Sequence, residues 1–282
     1  MNIDTKVING QKIASIIKDQ IKDVINQAYP ETVGLAVISL GNDEASQIYV
    51  RNKQKACDYV GIKSQIYNFE ANTPLEDILE LIDVLNNSHS VDGILIQLPL
   101  PAHINPRDLI SAIDFKKDVD GFSKESLAGL ITGDTVFKSC TSLGIIELLK
   151  YEKIKISGKK CVVVGRSNIV GKPLALMLLN EDATVSICHS KTDNLIDEIK
   201  TADILITAIG QPKFITGDMI KPGAVVIDVG INRDINQKLC GDVDFDSCFG
   251  IAGYITPVPG GVGPMTVAML LKNCLTAANL KI

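Results

Sequence analysis

Lys160-Cys-Val-Val-Val-Gly165-Arg-Ser-Asn-Ile-Val-Gly171-Lys-Pro173 decides how the second half of this 282-residue chain folds. A short apolar run stops at Gly165, and Lys172-Pro173 then opens a helix, because proline is well placed where the first helical N–H has no partner. Strand, loop and helix in that order aim the unpaired N–H groups of the helix start at the loop, the geometry that holds a pyrophosphate. The spacing departs from G-x-G-x-x-G: Ser167 takes the second glycine's place and Gly171 falls one residue late. Alone, the segment also fits a structural turn. Three further apolar runs follow, at 184–188, 204–207 and 224–228, and the four strands together fit a Rossmann-like dinucleotide-binding sheet.

The first half alternates in the same way. Ile13, Ile16, Ile17, Ile21, Val24 and Ile25 recur at helical spacing over 11–28, and 33–40 is an apolar run of buried-strand type. Helices at 46–60 and 75–86 lead to strands at 62–69 and 93–97. This pattern predicts a parallel sheet covered by helices. Periodicity weakens between 122 and 141, which places the domain boundary there, with a bridging helix at 142–151. The expected organisation is two α/β domains, 1–140 and 141–264.

Composition narrows the function. With 46 % hydrophobic residues the chain can fill two cores, and 28 basic against 33 acidic residues give a net charge of −5 without a run of like charge. That is no footprint for nucleic acid or an anionic membrane, so a small-molecule ligand is expected. The N-terminal residues lack a signal-type apolar core, and no stretch approaches the roughly 18 apolar residues of a membrane span, so a soluble cytoplasmic protein is expected. Seven scattered cysteines without a C-x-x-C pair, and three histidines (His89, His103, His189) without metal spacing, are expected to be reduced thiols and loop residues, with no metal site.

Two segments speak to ligands. Tyr254-Ile-Thr-Pro-Val-Pro-Gly-Gly-Val-Gly-Pro-Met-Thr266 carries three glycines and three prolines, and a helix is expected from Met265 onward. Gly260, Gly261 and Gly263 let main-chain groups approach a flat molecule or a phosphate, and Pro257, Pro259 and Pro264 rigidify the path; composition alone also fits an ordinary connector. After the strand ending at Cys188 the chain reads His189-Ser-Lys-Thr, without the acid that accepts from an NAD ribose hydroxyl. Arg166 offers a planar fork of donors to a 2′-phosphate and Ser190 adds a hydroxyl, which favours NADP over NAD.

Tyr49-x-x-x-Lys53, Gln97-Leu-Pro-Leu-Pro101, Lys117-Asp-Val-Asp-Gly121, the Gly165–Gly171 loop and the Pro/Gly loop stand in one order and at spacings that resemble the bifunctional methylenetetrahydrofolate dehydrogenase/cyclohydrolase family nearly end to end. The resemblance implies two α/β domains flanking a cleft that holds the folate, with the last helix (265–282) returning to complete the first domain. It implies NADP-dependent oxidation of 5,10-methylenetetrahydrofolate to the methenyl cation and hydrolysis of that cation to 10-formyltetrahydrofolate, a homodimer, and no metal. Carried over by motif, Lys53, Tyr49 and Gln97 are the catalytic residues. An arbitrary tyrosine and lysine four apart would fit a solvated helix face equally well. Asp120 is expected to pair with adjacent N–H donors of the pterin, while Asp118 faces solvent or caps a turn; a capping role is the alternative for Asp120 too. Tyr49, Pro259, Gly260 and Gly261 are the other expected substrate contacts. Gly165, Arg166, Ser167, Ser190, Ile231 and Thr266 are the expected cofactor contacts. Ser139 and Ser142 replace two prolines usual in the family, which alters a rigid turn near the boundary. Rival readings are an NAD-dependent dehydrogenase without cyclohydrolase activity, a cyclohydrolase with a silent nucleotide domain, and a non-catalytic folate- or nucleotide-binding protein.

Overall fold

The computed structural model describes residues 3–28, 33–41 and 43–279. In chain order the first elements are β1 (Lys6–Val7), α1 (Gly10–Ala28), β2 (Gly34–Leu40), α2 (Glu44–Val60), β3 (Lys63–Phe69), α3 (Leu75–Asn87) and β4 (Gly93–Ile96). Three helices follow, α4 (Pro106–Ala112), α5 (Lys124–Thr132) and α6 (Cys140–Tyr151), and then β5 (Lys160–Val164), α7 (Gly171–Asn180), β6 (Thr184–Cys188), α8 (Leu195–Lys200) and β7 (Ile204–Thr207). The chain continues with β8 (Val225–Asp228), β9 (Asn232–Arg233), β10 (Leu239–Cys240), α9 (Phe245–Cys248), β11 (Tyr254–Ile255) and α10 (Val262–Ala277).

These elements form two compact units. The first comprises Met1–Ala14 and Thr141–Thr266, and the second Ser15–Cys140 and Val267–Ile282. The chain passes between them within α1, at the start of α6 and within α10.

In the second unit three parallel strands run in the order β3-β2-β4. β2 is apolar and buried at every position, as a central strand covered on both faces must be. On α3, Glu76 and Asp77 favour the positive end of the helix dipole, and Ile78, Ile82 and Leu85 recur on one face that packs onto Ile38, Ile94 and Ile96.

The first unit is built on six strands in the order β1-β11-β8-β7-β5-β6, with every pairing parallel. The chain leaves β5 for β6 on one side and returns to β7 on the other, so the carboxyl ends of β5 and β7 form a topological switch point, where open α/β sheets bind ligands. Val162, Val164, Leu205, Val226 and Ile255 build the core beneath it.

Several expectations change. Residues 1–14 do not join the domain that follows them: β1 pairs with β11, Lys6 opposite Tyr254. Two residues cannot bury a face, so such a strand exists only through its partner. The interval 122–141 is no linker, because α5 lies in it, capped by Ser123 at one end and by Gly133 at φ 91° at the other. The last helix starts at Val262, three residues before the expected Met265. All seven cysteines are free and buried, and among the described residues no helix is long and apolar enough to cross a membrane.

Candidate active site and nucleotide-binding edge

The second unit gathers Lys53, Gln97, Tyr49 and Asp120. Asp43 caps α2, its Oδ2 accepting from the Ser46 N–H at 2.7 Å, and Val50, Cys57 and Val60 turn into the core. Tyr49 and Lys53 are one turn apart and half-buried. Lys53 Nζ donates to Gln97 Oε1 at 3.0 Å. Gln97, which follows β4, donates through Nε2 to the Leu98 carbonyl at 2.7 Å and through its backbone N–H to Ile38 at 2.8 Å. Its amide nitrogen being engaged, its oxygen is the end presented to the lysine. Burial pushes the Tyr49 phenol up.

Asp118 and Asp120 serve different purposes, as the alternation of an extended segment suggests. Asp118 is buried rather than solvated and acts as a cap: its Oδ2 accepts from the Ser123 N–H at 2.6 Å, at the start of α5. Burial pushes its carboxyl up, against the pull of hydrogen bonds from Ser123 and its neighbours. Asp120 keeps part of its surface accessible yet is enclosed closely enough that burial pushes its carboxyl up to about 6, with the charge of Lys53 pulling down and that of Asp118 pushing up. An acid poised there changes charge close to neutrality.

Two residues around Asp120 carry no sequence signal. Cys140 donates its thiol to the Val119 carbonyl at 3.2 Å and also bonds the Asp120 carboxyl. Burial, then Asp120, pushes that thiol well above its usual range, so it is a neutral donor and no nucleophile. Asn273 of α10 donates through Nδ2 to the carbonyls of Val119 at 2.8 Å and Lys138 at 3.1 Å, bracing both segments beside Asp120. A lone asparagine in an apolar helix gives no sign of its distant partners.

The first unit has Gly165, Arg166, Ser167, Ser190 and Ile231 just past the carboxyl ends of β5, β6 and β8, whereas Thr266 lies within α10. Gly165 N–H donates to Cys188 at 2.8 Å and Ala208 N–H to Val164 at 2.8 Å, so the ends of β6, β5 and β7 are in register. Gly171 starts α7 against the strand end: a Cβ there would lie 2.2 Å from the Gly165 carbonyl oxygen, which only glycine avoids. Ser167 Oγ accepts from the N–H groups of Val170 at 3.1 Å and Gly171 at 3.3 Å, capping the helix start; the same hydroxyl retains its own O–H donor. Ser142, in place of the expected proline, donates to the Val170 carbonyl at 3.3 Å.

Arg166 is exposed just beyond β5, and Ser190 is exposed at the corner of a turn closed by Thr192 N–H to His189 at 2.8 Å. No acid stands at that strand end. Ile231 follows β8 and is half exposed, and Thr266 bonds Thr141 Oγ1 at 3.2 Å. Pro259 is exposed, whereas the Gly260 carbonyl accepts from Gln11 N–H at 3.0 Å and Gly261 backs onto Gly10, whose Cβ would lie 1.9 Å from its oxygen. The Pro/Gly loop is thus seated on the start of α1.

Behind Ile231 lie two buried acids. Asp228 ends β8 and accepts from the N–H groups of Gly230, Asp242 and Val243 at 2.9, 2.9 and 2.8 Å. Burial pushes its carboxyl up to about 6 against those bonds.

Residues 8–120 match the model of the tetrahydrofolate dehydrogenase/cyclohydrolase catalytic domain, and residues 139–282 that of the NAD(P)-binding domain of the same family. The chain belongs to this family. Its similarity to family members extends over whole chains: the bifunctional protein FolD of Agathobacter rectalis is 57% identical over 273 residues, 96% of this chain and 98% of that one. Among solved structures, the bifunctional FolD methylenetetrahydrofolate dehydrogenase/cyclohydrolase of Campylobacter jejuni matches with a TM-score of 0.95 at 45% identity, covering 98% of this chain and 99% of the other. The Trypanosoma brucei methylenetetrahydrofolate dehydrogenase-cyclohydrolase, solved with NADP cofactor and inhibitor, matches with a TM-score of 0.93 at 37% identity, over 98% and 97% of the two chains.

Proposed function

We propose that this protein oxidises 5,10-methylenetetrahydrofolate with NADP⁺ and hydrolyses the methenyl product to 10-formyltetrahydrofolate. Family membership over both domains supports the pair of activities. The observation that carries the chemistry is the Lys53–Gln97 bond beside an enclosed Asp120.

Asp120 and Tyr49 bind the folate: the carboxylate accepts adjacent N–H donors of the pterin, and the phenol ring packs against it. The nucleotide edge suits NADP⁺, because the start of α7 faces the loop at 165–171 and Arg166 and Ser190 stand where no acid repels a 2′-phosphate. Gly165, Ser167, Ile231 and Thr266 are its other contacts. When bound, NADP⁺ accepts the hydride of the bridging carbon. For that step the residues have only to align the folate.

Hydrolysis makes a different demand. Water adds to the amidinium carbon of the methenyl cation and loses one proton; as the C–N bond breaks, the remaining hydroxyl gives up its proton to become the formyl carbonyl and the ring nitrogen takes one up, so that one proton is released overall. Lys53, oriented by Gln97, is the group that moves them. Domain limits follow the contacts, with 15–140 and the C-terminal helix binding folate and 141–266 binding nucleotide. A homodimer as its assembly rests on the family resemblance, and the cytoplasm as its location on the lack of a signal-type or membrane-spanning apolar stretch in the sequence.

Incubation with NADP⁺ and 5,10-methylenetetrahydrofolate, followed by absorbance and product analysis, tests the proposal. Appearance of NADPH and of 10-formyltetrahydrofolate is the expected result. Oxidation without hydrolysis would leave only the dehydrogenase, and tight binding without turnover would leave a binding protein.

A further inference from the structure

Asp242 has no solvent exposure and sits just past β10. Its carboxylate is fully committed to three donors. Oδ2 accepts from the Ile209 N–H at 2.7 Å, while Oδ1 accepts from the Gln211 N–H at 2.9 Å and from Asn232 Nδ2 at 2.9 Å. The first two donors belong to the loop that leaves β7, and the third, Asn232, opens β9 directly after Ile231 in the connection from β8. One side chain therefore fixes the spacing between two loops of the carboxyl edge.

Both loops abut the nucleotide residues. Ala208 lies against Gly165, where a Cβ would come within 2.3 Å of the Ala208 oxygen. Gly230, immediately before Ile231, closes directly over the acid: a Cβ on it would lie 2.3 Å from Asp242 Oδ1. The backbone of Asp242 is held as well, its N–H donating to Asp228 Oδ1 at 2.9 Å and its carbonyl accepting from Ile215 at 2.9 Å. A carboxyl that accepts three hydrogen bonds in a closed site leaves little freedom to shift either loop.

We propose that Asp242 is a positioning residue for the dinucleotide: without touching it, Asp242 sets the distance between the Ile209–Gln211 backbone and Ile231 and so determines cofactor affinity. The inference rests on the reading of this edge as the NADP⁺ site. A residue that merely held the fold together would lower stability and leave the affinity of the folded protein unchanged.

Asp242→Asn keeps the shape but sets an NH₂ group against N–H donors at one of the two oxygens. Asn232→Ala is milder, removing one donor and leaving the two loop bonds. NADP⁺ affinity is measured by titration calorimetry on the full chain, beside folate affinity and thermal melting. The expected result is a loss of NADP⁺ affinity of about tenfold or more for Asp242→Asn, and a smaller loss in the same sense for Asn232→Ala, on the scale of a charge-assisted hydrogen bond. Folate affinity stays within about twofold of wild type on the same scale. Should Asp242→Asn fail to fold, Asn232→Ala alone decides. NADP⁺ affinities of folded variants equal to wild type would overturn the proposal whatever the melting temperatures. A wild-type protein that does not bind NADP⁺ would instead overturn the reading of the edge, and the proposal with it.

Discussion

Lys53 and Asp120 divide the labour at the scale of single residues, and their variants should separate. Lys53→Met keeps chain length while deleting the amine that bonds Gln97. A positioned acid/base contributes about 10²–10⁴-fold, so hydrolysis should fall by that order while measurable hydride transfer persists and the methenyl compound accumulates. Single-turnover assays of each step check this; near-normal hydrolysis would remove Lys53 from the chemistry. Asp120, with its carboxyl pushed up from 3.8 to about 6, should bind the pterin as the carboxylate. Folate affinity is expected to fall roughly tenfold per pH unit below that value and to lose this dependence in Asp120→Asn. Stability should move the opposite way. The native carboxyl holds its proton more tightly than the unfolded one, so its favourable contribution is present below the unfolded value and is lost as pH rises through about 6. Asp120→Asn should therefore melt higher than wild type at pH 7, a gap that closes in acid. Arg166→Ala should weaken NADP⁺ by about one to two powers of ten and NAD⁺ far less, since a charged hydrogen bond is worth roughly 1.5–3 kcal/mol. Equal losses in binding titrations would show that Arg166 does not read the 2′-phosphate. Lys53 and Arg166 were legible because they stand in motifs with neighbours of meaning. Asp242 and Asn273 were not, since an acid in a loop and an amide in a helix look solvated until their distant partners are known.

The junction of β5 with α7 makes a prediction at the scale of elements. Gly171 touches the Gly165 carbonyl so closely that Gly171→Ala must push the start of the helix away from the strand. Overpacking of this kind costs about 1–3 kcal/mol, and here it also tilts the N–H groups that face the loop. NADP⁺ binding should suffer more than the melting temperature, as titration beside a thermal melt would show; unchanged affinity would mean that the helix start tolerates the shift. The same scale shows what sequence patterns reveal. Long amphipathic helices such as α1 and α3 write their period over many residues, and a strand buried on both faces such as β2 shows as an unbroken apolar run. The pairs β1, β11, β9 and β10 are two residues long each, too short for any period, and are strands only because a partner lies alongside. The seven-residue α4 is too short to show a period and was not expected; a capping signal, Asn105 and Pro106 at its start, is all that marks it.

Neither unit is a continuous stretch of chain. A chain ending at Thr266 lacks Leu271, Asn273, Cys274 and Leu275, all buried, and with them the brace across Val119 and Lys138. Each buried leucine is worth about 1.5–3 kcal/mol against a domain margin of roughly 5–15 kcal/mol. Limited proteolysis of that shortened chain should cut rapidly within residues 15–140 and spare the region 141–266; equal resistance of the two would contradict the division. Two α/β domains were legible in the alternation of helix and strand, and the return of the last helix was implied only by the resemblance; nothing gave notice that the first fourteen residues belong to a different unit from those that follow, because a membership decided by pairing leaves no trace in composition.

The pairing of Lys6 with Tyr254 also bears on how the protein comes into being. During synthesis β1 emerges long before β11, the strand it pairs with, and has no partner until then. α10 is made later still, so neither unit can close until segments far along the chain have been synthesised. Contacts so distant in sequence are slow to form, and apolar surfaces wait uncovered in the meantime. The nascent chain should therefore depend on holding factors for its solubility to a degree that the finished molecule does not.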